Sequence, residues 1–291
     1  MKHMNRKSSS KLSRAVPLCC SVEAYTTFAR QVPVIESTDG LLRAATVIAR
    51  HNDTHDAPGF ADVERQLNGY AKLIRSRVRG PQQQAMLAHL HHYLFDEVGF
   101  TGNSEDYYNP ANSYLPDVLQ THHGMPITLS LVYKVVAEKL EQSVKGVGLP
   151  GHFLTRLETD TGMMYVDCFA GGRVMSPDEC RQRVESIFSD TVEWNEQMLQ
   201  PVTHRMWLSR MIQNLLHIFT TNEQWNDVAA MLELQMLLWP KQTQLQRDLA
   251  LVLARIDMPA PASMWLDSYL RANPDDPEHD ELAALLSKLS R

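Results

Sequence analysis

Apolar residues recur at three- and four-residue intervals through most of residues 22–97, the spacing that lines one face of a helix. In GLLRAATVIARHN, Leu42, Ala45, Ile48 and Ala49 share a face, and Asp39 stands where a cap is expected. In FADVERQLNGYAKLIRSRV, Val63, Leu67, Tyr70, Leu73 and Ile74 do the same. Gly80-Pro81 ends that helix and starts another, because proline suits the first helical turn. The next stripe is Met86, Leu87, Leu90, Tyr93 and Leu94. Stripes of this kind are core faces rather than binding surfaces.

From Val98 to Ala111 the pattern breaks, and GFTGNSEDYYNPANS reads as a loop longer than a plain connector. Asn112 or Ser113 is placed to cap a short helix through Leu119. Gly124 breaks it, and Pro126 opens ITLSLVYKVVAEKL, a helix apolar on most sides and therefore central. Short extended pieces follow at Val144–Val147, His152–Leu157 and Met164–Val166, with Asp160-Thr161-Gly162 turning between the last two. Gly171-Gly172 closes the sheet region, and a helix runs from Pro177 to Phe188. The middle of the chain is thus α+β with a small antiparallel sheet.

The tail from about Thr203 is helical and repeats itself. Trp225/Pro259, Pro240/Pro274, Leu215/Leu249, Phe219/Leu253, Leu232/Leu266 and Met236/Leu270 all match at an offset of 34 residues. That is the tetratricopeptide period. Two such repeats do not bury a stable core alone, so they are expected to dock on the central domain. The predicted organisation is a disordered tail over 1–21, an α+β domain over 22–200 and all-α tetratricopeptide-like repeats over 201–291.

Composition changes this picture little. With 291 residues, 44% of them hydrophobic, the chain can bury one large core or two smaller ones. A formal charge of −6 argues against nucleic-acid binding, which is driven by phosphate neutralisation. The exception is local: Lys2, Arg6, Lys7, Lys11 and Arg14 stand without an acid among them and read as a solvated tail. AVPLCC is too short for a signal-peptide core, and no run approaches a membrane span. Cys19, Cys20, Cys168 and Cys180 form neither a disulfide framework nor a zinc set. The expectation is a cytoplasmic protein with no cofactor, no metal, and no membrane or nucleic-acid partner.

The candidate chemistry lies between Asn112 and Phe169. His152 opens one extended piece and Asp167 closes the next, so the two can face each other. An imidazole fixed by a carboxylate is what a thiol nucleophile at a helix N-terminus requires. The helix after Gly124 is the natural seat, but it begins Met125-Pro126-Ile127-Thr128, with no cysteine. Cys168 adjoins Asp167 on a strand and should face the other way, as a small buried hydrophobe. Cys180 is on a separate helix, and the hydroxyls of Thr128 and Ser130 need stronger activation than a thiol. His122 and His123 with His152 and Asp167 make a conceivable metal set, but adjacent histidines in a loop are not a metal spacing. Asn112, Tyr114, His123, Gly124 and Cys168, with the loop around Asp106–Tyr108, are candidate binding residues along the same cleft.

GMPITLSLVY, PGHFLTR and VDCFAGG resemble the bacterial YchA/SirB-type proteins, a family named for a link to sirC expression. The family pattern is roughly NSYLxxVLxxRxGxPIxLSxxY, PGHFLxR and DPFxGG, and the likeness runs from about residue 40 to the C-terminus. It implies a transglutaminase-like (papain-like) core followed by tetratricopeptide repeats. In the wider superfamily the triad is Cys, His and Asp, with the cysteine in G-x-C at a helix start. Carried over, the histidine is His152, the aspartate is Asp167, and the cysteine position is Pro126, where proline is that family's rule. The chain departs from the pattern at His122-His123, at Cys168 in place of proline, and at Leu149 in place of phenylalanine. The resemblance implies a non-catalytic regulatory protein that binds a protein or peptide. A residual amide hydrolase or acyl transferase, using His152 and Asp167 with a thiol or hydroxyl, is the alternative. Direct action on nucleic acid is disfavoured by the acidic balance and the lack of a basic stripe.

Overall fold

The computed structural model describes residues 16–52, 57–80, 82–188 and 191–290; most of the basic tail, residues 1–15, lies outside the described residues. The helices are α1 (Val22–Gln31), α2 (Thr38–Ile48), α3 (Phe60–Arg77), α4 (Gln83–His91), α5 (Leu115–Thr121) and α6 (Pro126–Lys139). They continue as α7 (Pro177–Phe188), α8 (His204–Thr221), α9 (Trp225–Leu238), α10 (Gln244–Arg255), α11 (Pro259–Ala272) and α12 (His279–Leu289). The strands are β1 (Thr101–Gly102), β2 (His123–Gly124), β3 (Lys145–Val147), β4 (Leu154–Thr159), β5 (Gly162–Asp167) and β6 (Arg173–Met175). Two units emerge. One comprises Ile35–Ala49 and Ala57–Met211; the other gathers the described parts of Met1–Val34, Arg50–Asp56 and Ile212–Arg291.

The first unit is built around α6. Proline at its first position costs no helical hydrogen bond, and every residue from Pro126 to Ala137 is buried. Helices α2, α3, α4 and α5 and strand β4 pack against it. A helix apolar all round must be enclosed in this way. Its buried cation, Lys134, is 1% exposed and is compensated by Glu138 and by the Val144 carbonyl at 2.7 Å. Glu138 also accepts from the Thr38 hydroxyl. Burial lowers the Lys134 pKa and the Glu138 charge works against that shift.

Strands β3 to β6 form an antiparallel meander in sequence order, with Lys145↔Arg156, Thr155↔Val166 and Asp167↔Arg173 in register. The turn falls at Asp160–Thr161, as the pattern predicts. Strand β6 is not predicted. Gly171 and Gly172, read as the end of the sheet, instead take left-handed φ values of 65° and 78° and reverse the chain into it. A side chain at Gly172 would also meet the Phe95 ring at 2.1 Å.

Local caps differ from the expectations. Ser37, not Asp39, caps α2, accepting from the Gly40 amide at 3.0 Å; Asp39 pairs with Arg43 instead. Neither Asn112 nor Ser113 caps the short helix, which starts at Leu115 after Tyr114. It ends at His122 in a left-handed conformation (φ 59°), two residues before Gly124. The unit boundary also falls later than residue 200, inside α8. Trp207 is fully buried in the first unit, its ring 4.6 Å from Phe153 and its Nε1 donating to the Ile127 carbonyl at 3.3 Å.

In the second unit, α9 to α12 pack consecutively, and α1 joins α9 through its buried stripe of Ala24, Tyr25 and Phe28. This places Val22–Gln31 with the C-terminal helices rather than with the sheet. Val16–Ser21, read as part of the disordered tail, is held at α9 because the backbone amides of Leu18, Cys19 and Cys20 donate to Glu233. The 34-residue offset is visible in the backbone. Helices α9 and α11 are both 14 residues long, starting at Trp225 and Pro259. Each follows a left-handed residue, Glu223 (φ 54°) and Asp257 (φ 59°). Among the described residues no helix is long and apolar enough to cross a membrane.

A Cβ at Gly146 would lie 2.4 Å from the Trp207 ring, whereas one at Gly69, on the exposed side of α3, meets nothing within 4 Å. Gly146→Ala is therefore expected to destabilise by about 1–3 kcal/mol. Gly69→Ala is expected to stabilise by about 0.5–1 kcal/mol. Urea unfolding of the two variants should move in opposite directions.

Candidate functional site

Asp167 is the last residue of β5, and His152 lies two residues before β4, its antiparallel neighbour. His152 Nε2 is 2.9 Å from Asp167 Oδ2, and both side chains are under 5% exposed. The other carboxylate oxygen accepts the backbone amides of Phe169 at 3.0 Å and Ala170 at 3.2 Å. Burial acts to raise the Asp167 pKa. The His152 hydrogen bond and charge, the Ala170 amide and the Arg183 charge outweigh it and hold the carboxyl below its ordinary value of 3.8. An ionised carboxylate only accepts, so Nε2 carries the proton it donates. In the neutral ring Nδ1 then keeps its lone pair. This is the orientation of an imidazole that activates a nucleophile.

The turn carrying His152 is fixed from behind. Arg210, on the first half of α8, donates from Nη2 to the carbonyls of Leu149 at 2.6 Å and His152 at 2.7 Å. The guanidinium also lies 5.6 Å from the Phe153 ring centroid. Among the described residues it has no carboxylate partner, and burial lowers its pKa. Buried cations bound only to carbonyls lock backbone rather than balance charge.

The loop before α5 closes over the same place. Ring centroids of Tyr107 and Phe169 are 5.8 Å apart, and those of Phe169 and His152 are 6.2 Å apart. Gly102 donates to the Phe169 carbonyl at 2.9 Å, and Thr101 and Gly102 pair with His123 and Gly124 in a short parallel ladder. Asn112 turns inward. Its amide donates to the carbonyls of Asp106 at 2.6 Å and Tyr107 at 3.1 Å, its Oδ1 accepts from Asn103, and its carbonyl accepts the Met125 amide at 2.9 Å. One residue, through its side chain and its backbone carbonyl, thus ties the Tyr107 loop to the start of α6.

The remaining sequence candidates divide. Tyr114 is 6% exposed and precedes α5. Gly124 is buried where a Cβ would meet Val118 at 2.9 Å. His123 faces solvent and bonds its own turn, Nδ1 to the Thr121 carbonyl at 2.7 Å. His122 packs edge-on against Phe100 at 5.1 Å. Cys168 is fully buried in the core, its thiol pushed far up by burial and by the Asp167 charge. Burial likewise pushes the Cys180 thiol up to about 12. The hydroxyls of Thr128 and Ser130 are wholly buried. Among the described residues no group of three or more His, Cys, Asp or Glu is arranged to hold a metal ion. Arg210 escaped the sequence reading, because a lone arginine on an amphipathic helix carries no local signal.

Residues 61–213 match the transglutaminase-like superfamily. The chain is 31% identical over 266 residues to a UPF0162 protein of Xylella fastidiosa (strain 9a5c), covering 88% of this chain and 92% of that one. A UPF0162 protein of Haemophilus influenzae is 24% identical over 224 residues, 76% of this chain and 83% of that one. Human F-box only protein 21 is 30% identical over 239 residues, 71% of this chain and 37% of that protein. No solved structure matches.

A carboxylate held below its ordinary pKa stabilises the fold above that value, and the contribution is lost as pH falls through the folded pKa. Asp167→Asn is expected to cost about 1–3 kcal/mol at neutral pH. The gap from wild type should shrink only below 3.8, where the native carboxylate protonates. Unfolding curves at neutral and acid pH measure this, and a gap that widens on acidification contradicts it.

Proposed function

This chain belongs to the transglutaminase-like superfamily, and we propose that it is a non-catalytic member that binds a protein or peptide at the His152–Asp167 site. The observation that carries this reading is an imidazole–carboxylate pair assembled in full, with Pro126 rather than a cysteine where the family resemblance places the nucleophile. Cys168 and Cys180 are buried thiols with raised pKa values, and Thr128 and Ser130 are out of reach of solvent. Burial of these groups favours binding over a residual hydrolase or acyl transferase.

What such a site retains is recognition. The Nδ1 lone pair and the Tyr107 and Phe169 rings suit an extended peptide more than a small charged metabolite. The finer assignment, to the YchA/SirB type with tetratricopeptide-like repeats, is supported by the three ordered motifs and by the offset shared between sequence and backbone. The repeat region would give a second protein-binding surface. In human F-box only protein 21 the matching region belongs to a longer chain, which suits a module that serves by binding. A cytoplasmic regulatory role through protein partners, without nucleic acid or membrane, completes the proposal.

Two experiments test it. Pro126→Cys should create a thiol that iodoacetamide labels at neutral pH at least about tenfold faster than Cys19, because a paired imidazole and a helix N-terminus stabilise the thiolate. Adding His152→Ala should remove the gain. A substituted thiol as slow as Cys168 would place position 126 away from the imidazole and remove the basis for calling the site a vacated active centre. In affinity capture, His152→Ala and Asp167→Ala should each lose partners that wild type retains; identical partner sets would count against the cleft.

A further inference from the structure

The described part of the chain begins by running into the helices of the second unit. The backbone amides of Leu18, Cys19 and Cys20 converge on one carboxylate, that of Glu233 on α9, at 2.5, 3.2 and 2.8 Å. Glu233 is 6% exposed. Three successive amides on one anion form a concave nest, a contact made by backbone and therefore indifferent to side chains. Pro17 has no amide hydrogen and restricts the residue before it to an extended form, so the donor series starts at Leu18.

Side-chain fit is poorer than backbone fit. Val16, Pro17 and Leu18 face Tyr25, Met236, Leu249, Met264 and Trp265 across a cavity of about 110 Å³. Val16 remains 76% exposed and Leu18 39% exposed, so their apolar surface is only partly removed from water. The indole Nε1 of Trp265, lining the same cavity, is buried with no hydrogen-bond partner among the described residues. A buried donor without an acceptor is costly, and an occupant that offers a carbonyl there gains what the resident segment forgoes.

We propose that the second unit carries a peptide-binding groove in which Glu233 grips consecutive backbone amides, and that Val16–Cys20 of this chain is its resident, displaceable ligand. The incoming partner is a peptide of the same chemistry: an apolar residue, a proline and a second apolar residue, followed by small residues with free amides. This rests on the reading of the repeat region as a partner surface and is independent of His152 and Asp167.

The segment carries its own reporters. Cys20 is 4% exposed, and burial together with the charges of Glu233 and Asp227 pushes the Cys19 thiol up to about 11, so both are slow while seated. The test is thiol labelling of the full chain, read by mass spectrometry at Cys19, Cys20, Cys168 and Cys180. The probe is the peptide Ala-Val-Pro-Leu-Ser-Ser-Ser, used to a few millimolar because a tethered segment competes at roughly millimolar effective concentration. Labelling of Cys19 and Cys20 should rise about fivefold or more and saturate, with Cys168 and Cys180 unchanged. Leu18→Asp, which weakens the resident segment, should lower the peptide concentration needed. Glu233→Gln should speed both N-terminal thiols without peptide and abolish the response to it. If no peptide concentration changes the N-terminal thiols in wild type or in Leu18→Asp, the groove is overturned. Should Glu233→Gln accelerate all four thiols together, the variant has loosened as a whole, and the titrations of wild type and Leu18→Asp decide alone. A negative result here leaves the capture experiments on His152 and Asp167 standing, and the reverse holds.

Discussion

The site depends on one buried carboxylate. Asp167 gives one oxygen to His152 and the other to the amides of Phe169 and Ala170. A charge this deep is tolerable only when its lone pairs are filled. The same bonds that make it tolerable fix three things at once: the end of β5, the turn towards Gly171-Gly172, and the plane of the imidazole. Losing one partner leaves the others buried and unpaired, so the arrangement acts as a unit rather than as a list of contacts.

Around that carboxylate the scaffold is rigid on every side. Arg210 locks the turn that carries His152, Asn112 ties the Tyr107 loop to α6, and α6 is enclosed by four helices and a strand. Preorganisation of this kind serves catalysis when a nucleophile completes it. With proline at the position where the resemblance puts the cysteine, we propose that the same preorganisation serves binding, since an oriented imidazole loses little entropy when it meets a partner. Proline also keeps α6 intact, because the first helical position needs no amide hydrogen.

Much of this was legible in the residues. The all-round apolar run of ITLSLVYKVVAEKL identified α6 as central, Pro177–Phe188 was read to its ends, and the spacing of His152 and Asp167 pointed to a facing pair. Each rests on periodicity or on a marker residue. What was hidden depends on contacts distant in sequence. Strand β6 is three residues long and follows a glycine pair that reads as a terminator. Asn112 looked like a cap because its neighbours are turn formers, yet its amide is drawn to carbonyls of the loop before it. Ser37 won the α2 cap from Asp39 because Asp39 already lies inside the first turn. The division of α8 between two units, and the seating of Leu18 to Cys20 on Glu233, leave no periodic trace at all.

The most direct measurement is the tautomer of His152 by nitrogen-15 NMR of the imidazole ring, in wild type and in Asp167→Asn. If the ionised Asp167 orders the site, the neutral ring carries its proton on Nε2, with a hydrogen-bonded shift that changes in the variant. A proton on Nδ1, or an averaged ring unaffected by the variant, would mean that the carboxylate does not hold the imidazole, and the account of the site would fail.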